Sequence, residues 1–354
     1  MVKISDIIRG QDIFEDKKQK GGDSDQKKSV VISDILTTDD LLGEKISPYL
    51  RAPTEVEKKE ALLILSELKG LLNNMFSSIR RGEKFDIIPL SLHAKRLANS
   101  IDKYQNIFMS QMYNVYDYTN LSYNSLWTTI IAVKIGRRLS ISGAELNELA
   151  FAGLTHDVGM GLIPEDILNK EKDLLRSEVR EIESHPEKGS EFLKKFGDGY
   201  QHLSLIALQE HEREDGSGYP GGLNGKDIHQ HAKIIGLADT YEAMTQDRPF
   251  RKRVLPLYVI KDIVDNMRSK FDGEVVKALL EEVTLFPVGS YVKLNSQEVG
   301  RVIAGTGETH FRQVVQILYD SDGKKLKTPK IVNLIEAHLI HIVEPVDEKQ
   351  LEGE

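Results

Sequence analysis

Residues 144–157 read AELNELAFAGLTHD, and this stretch decides the fold. Its apolar positions, among them Leu146 and Leu149, recur at the spacing of one helix face, which predicts a helix from about the start of the stretch. The same spacing continues to Asp157, with His156 beside it. The sequence therefore predicts that an ionisable pair faces the core of a helical domain.

Two further helical stretches carry ionisable residues where apolar ones are expected. The stretch 201–209 has an apolar face that ends in Glu210 and His211. Asp239 lies within the largely apolar run 232–244. Since a buried and unpaired carboxylate costs roughly several kcal/mol, these positions require a compensating partner.

A divalent cation bound jointly by these side chains would supply that compensation, because imidazole and carboxylate groups are ligands of divalent transition metals. His185, in a His-Pro step after a predicted helix over 176–184, is a further candidate ligand. The chain has no cysteine, so thiolate sites and disulfides are excluded, and the ligand set suits iron, manganese, nickel or zinc. The alternative for each residue alone is a structural hydrogen bond or a buried ion pair.

The composition is that of a globular protein. The chain has 354 residues, enough for roughly two domains, and 40% of them are apolar. The net charge of −8 argues against binding to DNA or RNA polymers, although a local basic patch can hold a small phosphorylated ligand. The charged start, and the lack of a run of about 18 apolar residues, predict a cytoplasmic protein without a membrane segment.

The sequence divides into four regions. We expect residues 1–30 to form a flexible tail and residues 31–112 to form an N-terminal helical region. We expect residues 113–285 to form an all-α domain. Short β-branched runs in residues 286–354 predict a small β appendix and tail. The apolar stripe from Leu62 to Met75 is interpreted as core, with a homodimer interface or a small input module as alternatives.

Several motifs follow one another in a set order between about Tyr113 and Val254. They are His156-Asp157, His185-Pro186, His211-Glu212-Arg213, the loop Asp215–Gly225 around Gly218-Tyr219-Pro220, Ala238-Asp239, and Asp247-Arg248-Pro249-Phe250-Arg251. In this order they resemble the HD-GYP family, a branch of the HD phosphohydrolases whose members hydrolyse cyclic di-GMP. The region after Pro287 also resembles the small β appendix often found behind such domains. The resemblance implies an all-α HD-type domain that takes a cyclic dinucleotide.

The resemblance also implies roles for single residues. The expected ligands of one or two divalent ions, with iron or manganese favoured, are His156, Asp157, His185, His211 and Asp239. The resemblance makes Asp157 a catalytic residue that would bridge two ions. Two nearby cations lower the pKa of a water between them and neutralise the charge on a phosphodiester under attack. The residues expected to contact substrate are Gly218, Tyr219, Pro220, Arg248 and Arg251. Guanidinium groups suit phosphate oxygens, and glycines permit close approach of the backbone to a ligand.

Four positions depart from the family pattern. Asn124 stands where the family usually has its first metal-binding histidine, and Asn120 where members with three metals have a glutamate. Met160 replaces a lysine, and Glu210 replaces the first of two adjacent histidines, where a carboxylate can still ligate a metal. Two hypotheses therefore stand: a slow or altered cyclic di-GMP phosphodiesterase, or a catalytically degenerate cyclic-dinucleotide receptor or protein-interaction module. Hydrolysis of another phosphorylated nucleotide is a third.

Overall fold

The computed structural model describes residues 54–114, 120–170, 174–246, 254–286, 289–304, 313–346 and 351. These residues fall into two compact units, one that ends at Val283 and one that begins at Thr284. The predicted tail over 1–30 and the predicted substrate contacts Arg248 and Arg251 lie outside the described residues.

The described part of the first unit contains helices and no named strand. Its α-helices are α1 (Glu55–Arg81), α2 (Ile88–Asn114), α3 (Leu121–Arg138), α4 (Gly143–Thr155), α5 (Glu165–Leu168), α6 (Arg176–Glu183), α7 (His185–Lys194), α8 (Gln201–Gln209), α9 (Gln230–Thr245), α10 (Pro256–Asn266) and α11 (Gly273–Glu282). Short 3₁₀ helices cover Val158–Leu162, Asp198–Tyr200, Gly225–Asp227 and Arg268–Lys270. The prediction of an all-α domain is confirmed.

Helix α1 begins and ends at residues that favour helix termini. The Thr54 hydroxyl accepts a hydrogen bond from the Glu57 amide, and the Glu57 carboxylate accepts one from the Thr54 amide. The helix stops at Gly82, which has a φ of 66°. Most of the predicted stripe is buried, but Leu62 is 43% exposed, so its assignment to the core is wrong.

Helix α3 lies at the centre of the first unit. Every side chain from Asn124 to Gly136 is buried, and helices α1, α2, α4, α9 and α11 all pack against it. Its buried Lys134 donates to Gln105 on α2 and lies 3.3 Å from the Glu282 carboxylate on α11. The N-terminal helices therefore belong to the same compact unit as α3, and the predicted division between residues 112 and 113 stays a prediction.

The second unit contains an antiparallel sheet of five strands. The strands are β1 (Tyr291–Leu294), β2 (Val299–Ala304), β3 (Val314–Tyr319), β4 (Lys325–Asn333) and β5 (Ile342–Val346), in the order β4-β3-β2-β1-β5. On β1, Val292 and Leu294 are buried while the intervening side chains are partly exposed, as expected for a sheet with one covered face. The predicted β appendix is confirmed. In neither unit does a described helix combine the length and apolar character needed to cross a membrane.

Candidate metal centre

The six predicted metal ligands come from four helices of the first unit. His156 and Asp157 follow α4, His185 begins α7, Glu210 and His211 follow α8, and Asp239 lies within α9. The structure brings these side chains together in one largely buried site. This convergence explains why ionisable residues extend the apolar faces of separate helices.

On one side of the site, three carboxylates surround the imidazole of His156. Its Nε2 atom lies 3.9 Å from Asp157 Oδ2, 3.5 Å from Glu210 Oε2 and 3.9 Å from Asp239 Oδ1. His156 is 1% exposed, and its Nε2 atom has no hydrogen-bond partner among the described residues. This nitrogen is therefore available as a ligand.

On the other side, two imidazoles meet. His185 Nε2 lies 3.3 Å from Asp157 Oδ1, 3.5 Å from Glu210 Oε1 and 3.1 Å from His211 Nε2. One ligand atom each from His185, Glu210 and His211 lies within 4.8 Å of the other two. These three residues form a group that can hold a metal ion.

Backbone carbonyl groups set the orientation of two of the imidazoles. The Nδ1 atom of His156 donates to the Gly153 carbonyl, and that of His185 donates to the Ile182 carbonyl, each at 2.7 Å. A histidine held in this way directs the lone pair of Nε2 into the site, which is the usual arrangement of metal-binding imidazoles.

The donor atoms fit a divalent cation. The Glu210 side chain is fully buried, and neither of its carboxylate oxygens has a hydrogen-bond partner among the described residues. The ring nitrogens of His185 and His211 that face each other at 3.1 Å need either a proton between them or a shared cation. Because unpaired buried acceptors are costly, a bound ion would stabilise the site.

The pKa values of these groups depart from their ordinary values in both directions. Burial would lower the pKa of His185, but the carboxylates of Glu210 and Asp157 outweigh it and raise that pKa to about 9. Burial and the neighbouring His185 lower the pKa of His211 well below its usual range, and burial raises that of Glu210. Opposite shifts within one cluster are typical of functional sites.

Metal uptake is expected to strengthen as the pH rises toward 9. With its pKa raised to about 9, His185 carries a proton at neutral pH in the metal-free protein, and an ion must displace it. Competition titrations with a chelator between pH 6 and 8 should show the apparent affinity rising about tenfold per pH unit for each displaced proton. An affinity that does not change over this range would contradict the prediction.

Two glycines let helices approach the site closely. A Cβ atom on Gly159 would collide with the carbonyl oxygen of His185 and lie 2.7 Å from the Gly189 amide nitrogen. A Cβ atom on Gly236 would collide with the carbonyl oxygen of Glu210. The backbone at each of these two predicted ligands therefore packs directly against a glycine, a contact that the sequence does not predict.

The predicted substrate loop packs against the candidate metal centre. The Tyr219 ring stacks on the His211 ring with centroids 4.8 Å apart, and the Tyr219 amide donates to the His211 carbonyl. Gly218 lies so close to the His211 carbonyl that any side chain would collide with it, whereas Pro220 is exposed. The loop lies beside the predicted metal ligands, and substrate contacts by its residues stay predictions.

A neighbouring residue without a predicted role, Glu212, holds this loop. The carboxylate of Glu212, which is 5% exposed, accepts hydrogen bonds from the amides of Gly221 at 2.6 Å and Leu223 at 2.8 Å. Arg213 donates to the carbonyls of Glu210 and Glu212. A carboxylate between a candidate ligand histidine and a glycine-rich loop is the signal that could have identified Glu212, because such loops leave backbone amides in need of acceptors.

Replacing Glu212 with glutamine is expected to loosen the loop. The amide side chain has one acceptor oxygen, so one of the two backbone hydrogen bonds is lost, and a bond to a charged group contributes about 1.5–3 kcal/mol. Hydrogen exchange at Gly221 and Leu223 should accelerate, and KM for substrate should rise more than kcat falls. Glu187→Gln, at an exposed position on α7, is the control. Unchanged exchange at both amides would contradict this role.

The structure also places the positions that depart from the family pattern. Asn124 is buried on α3, and Asn120 caps the same helix by accepting a hydrogen bond from the Ser122 amide. Met160 is half-buried in the 3₁₀ helix after Asp157, and its amide donates to the Asp157 carbonyl. Asn120 therefore has a structural role, and Met160 brings no charge to the vicinity of Asp157.

Comparison with known proteins agrees with the site. Residues 101–275 match the HD domain family, and residues 291–354 match the KOW domain associated with HD domains. A cyclic di-GMP phosphodiesterase of Pseudomonas aeruginosa is 28% identical over 286 residues, which are 80% of this chain and 68% of that protein. The 3'3'-cGAMP-specific phosphodiesterase 3 of Vibrio cholerae is 32% identical over 153 residues, 43% of this chain and 33% of that protein.

A solved structure shares the fold. The HDG"Y"P protein of Bdellovibrio bacteriovorus superposes with a TM-score of 0.53 at 17% identity, covering 65% of this chain and 74% of that one. Residues 101–275 therefore form an HD domain, and the predicted resemblance to the HD-GYP branch is confirmed. The chain spans only part of the length of its curated relatives, for example 58% of a cyclic di-GMP phosphodiesterase response regulator of Xanthomonas campestris.

Proposed function

We propose that this protein is a metal-dependent phosphodiesterase that hydrolyses a cyclic dinucleotide, with cyclic di-GMP as the favoured substrate. The observation that carries the proposal is the convergence of His156, Asp157, His185, Glu210 and His211 in one buried site beside the Tyr219 loop. The relatives named as phosphodiesterases of cyclic di-GMP and 3'3'-cGAMP support the choice of substrate class.

The side chains divide the work between them. One or two divalent ions, with iron or manganese favoured, would lower the pKa of the attacking water and stabilise charge on the phosphodiester. His185 and His211 would hold the ion through Nε2, and stacking on Tyr219 limits rotation of the His211 ring. Arg248 and Arg251 would bind the phosphate oxygens of the dinucleotide, since guanidinium groups can do so in a bidentate manner.

A receptor without turnover is the second candidate, and Met160 favours it. The family lysine at this position would place a cation beside Asp157, whereas methionine offers no charge to a phosphate or a leaving oxygen. Loss of such a cation slows the reaction without removing the ligand-binding loop or the metal ligands.

Incubation of the purified protein with cyclic di-GMP and manganese or iron separates the two candidates. We expect conversion to linear dinucleotide or GMP that stops when a chelator is added, and a faster rate for Met160→Lys. Binding of cyclic di-GMP with no product from either protein would select the receptor. Neither binding nor turnover with any cyclic dinucleotide would contradict both candidates.

We also propose that the N-terminal helices form a homodimer. Leu62 and Leu63 on α1 and Leu92 on α2 are 43%, 51% and 63% exposed, and burial against a second copy would remove them from water. Analytical ultracentrifugation should detect a dimer that Leu63→Glu weakens. A monomer at all concentrations would contradict the proposal.

A further inference from the structure

The predicted substrate loop is closed at its base. The loop base consists of Glu214 and Asp215 at one end and Asn224 and Gly225 at the other. Asp215 and Asn224 pair in an antiparallel bridge, and the Gly225 amide donates to the Glu214 carbonyl at 3.2 Å. The Glu214 carboxylate lies so close to Gly225 that a Cβ atom there would collide with it. The position of this carboxylate therefore affects both ends of the loop.

One ammonium group compensates the charge of this carboxylate. The Nζ atom of Lys233, on α9, lies 2.9 Å from Glu214 Oε1. That oxygen is shielded from water and accepts no hydrogen bond of good geometry from the residues that the structure describes. A shielded carboxylate oxygen is costly without a nearby cation. The two side chains are only 17% and 25% exposed, so solvent screens this pair less than it screens a surface pair, and Lys233 fixes where the carboxylate lies.

The same ammonium group faces a second carboxylate. Lys233 Nζ lies 3.6 Å from Asp272 Oδ2. The other oxygen of Asp272 accepts hydrogen bonds from the amides of Glu274 and Val275 and so caps α11. Lys233 itself belongs to α9, the helix that carries Asp239. One side chain therefore connects the loop base, the start of α11 and the helix of a predicted metal ligand.

The segment just before α11 also contacts the loop base. The Glu214 amide donates to the Lys270 carbonyl at 3.1 Å, and the Ser269 hydroxyl donates to the Asp215 carboxylate at 3.0 Å. Backbone and side-chain contacts thus hold one end of the loop against this segment. Lys233 lies at the junction of these elements, because its ammonium group is close to carboxylates from both.

We infer that Lys233 is a positioning residue for the predicted substrate loop, and that it acts through Glu214 to fix the loop base against α9 and the segment before α11. The inference rests on the proposed function, because it assumes that this loop contacts the cyclic dinucleotide. A loop held in one arrangement costs less free energy to order when a ligand binds. Loss of Lys233 should therefore weaken binding of the dinucleotide more than it slows the chemical step.

Hydrogen exchange in the protein without substrate tests the role of Lys233 in the loop. The amides of Gly216 and Gly225 both donate to backbone carbonyls, of Arg213 and Glu214, and report opening of the loop base. Lys233→Met removes the charge and keeps most of the stem, and exchange at both amides should become about tenfold faster. Lys233→Arg should restore most of the protection, because it returns the charge. In a protein that already carries Glu214→Gln, Lys233→Met should change the exchange less than about twofold.

Kinetics with cyclic di-GMP separate positioning from a merely structural role. For Lys233→Met we expect KM to rise about tenfold while kcat changes less than about twofold. For a receptor without turnover, the dissociation constant should rise by the same factor. The matched control is Lys194→Met on α7, which breaks an exposed pair with Glu191 and should leave loop exchange and KM unchanged. Circular dichroism identifies a variant that fails to fold, and Lys233→Gln, which retains a polar end, then takes the place of Lys233→Met.

Two results would overturn the inference. The first is unchanged exchange at Gly216 and Gly225 in Lys233→Met. The second is an equal acceleration with and without the Glu214 carboxylate, which would show that Lys233 does not act through it. An unchanged protein that neither binds nor hydrolyses any cyclic dinucleotide would instead remove the proposed function. Exchange in the substrate-free protein would still decide whether Lys233 fixes the loop base, so the two failures are distinguishable.

Discussion

Asp157→Ala is expected to abolish hydrolysis of the cyclic dinucleotide, with a rate at least about 1,000-fold lower than that of the unchanged protein. The Asp157 carboxylate faces imidazoles on both sides of the candidate site, 3.3 Å from His185 Nε2 and 3.9 Å from His156 Nε2. Its removal takes a negatively charged group away from both imidazoles at once. Metal content by mass spectrometry and rates at saturating manganese measure the two consequences.

The control for this variant is Asp166→Ala, an aspartate removed from an exposed position on α5. It should leave both metal content and rate unchanged. A variant Asp157→Ala that keeps its ions and more than about a tenth of the rate would contradict the bridging role, because loss of a shared ligand should cost several kcal/mol in the transition state.

Gly159→Ala is expected to have the largest effect on folding. The added Cβ atom would collide with the backbone carbonyl of His185, and backbone at the start of α7 cannot move aside as a flexible side chain can. We expect a loss of about 3 kcal/mol or more in the free energy of unfolding, together with loss of metal as His185 is displaced. Urea denaturation of the metal-free protein measures the first effect.

Gly70→Ala is the matched control for that substitution. Gly70 lies within α1, and no atom apart from the neighbouring residues and backbone of the same helix lies within 4 Å of the Cβ that alanine would add. Alanine there should raise the free energy of unfolding by about 0.5–1 kcal/mol, because glycine is less favourable in a helix interior. Similar behaviour of the two variants would show that close packing at Gly159 is unimportant.

The spacing of apolar residues alone predicted which ionisable side chains lie in the interior. An apolar stripe along α4 fixes which direction is inward, so the side chains that continue it, His156 and Asp157, are assigned to the interior before any contact is known. The same reasoning assigned Glu210 at the end of α8. Helical geometry is local, and so this part of the site could be read from sequence.

Contacts between separate elements could not be predicted in this way. The backbone of His185, 26 residues further along the chain, leaves room only for a glycine at position 159. The local sequence around either residue does not predict this contact. The prediction that Leu62 is buried fails for a related reason. An apolar stripe does not show how much of it the neighbouring helix covers. Likewise, periodicity placed Glu210 inside but did not show that its two oxygens face different imidazoles.

The most direct test of the shared cation is crystallography of the protein grown with manganese, using anomalous scattering to locate the ions. We expect anomalous peaks within about 2.0–2.3 Å of ligand atoms of His185, Glu210 and His211, with a second peak beside His156, Asp157 and Asp239. The absence of any anomalous peak among these imidazoles and carboxylates, in crystals that contain manganese, would contradict the account.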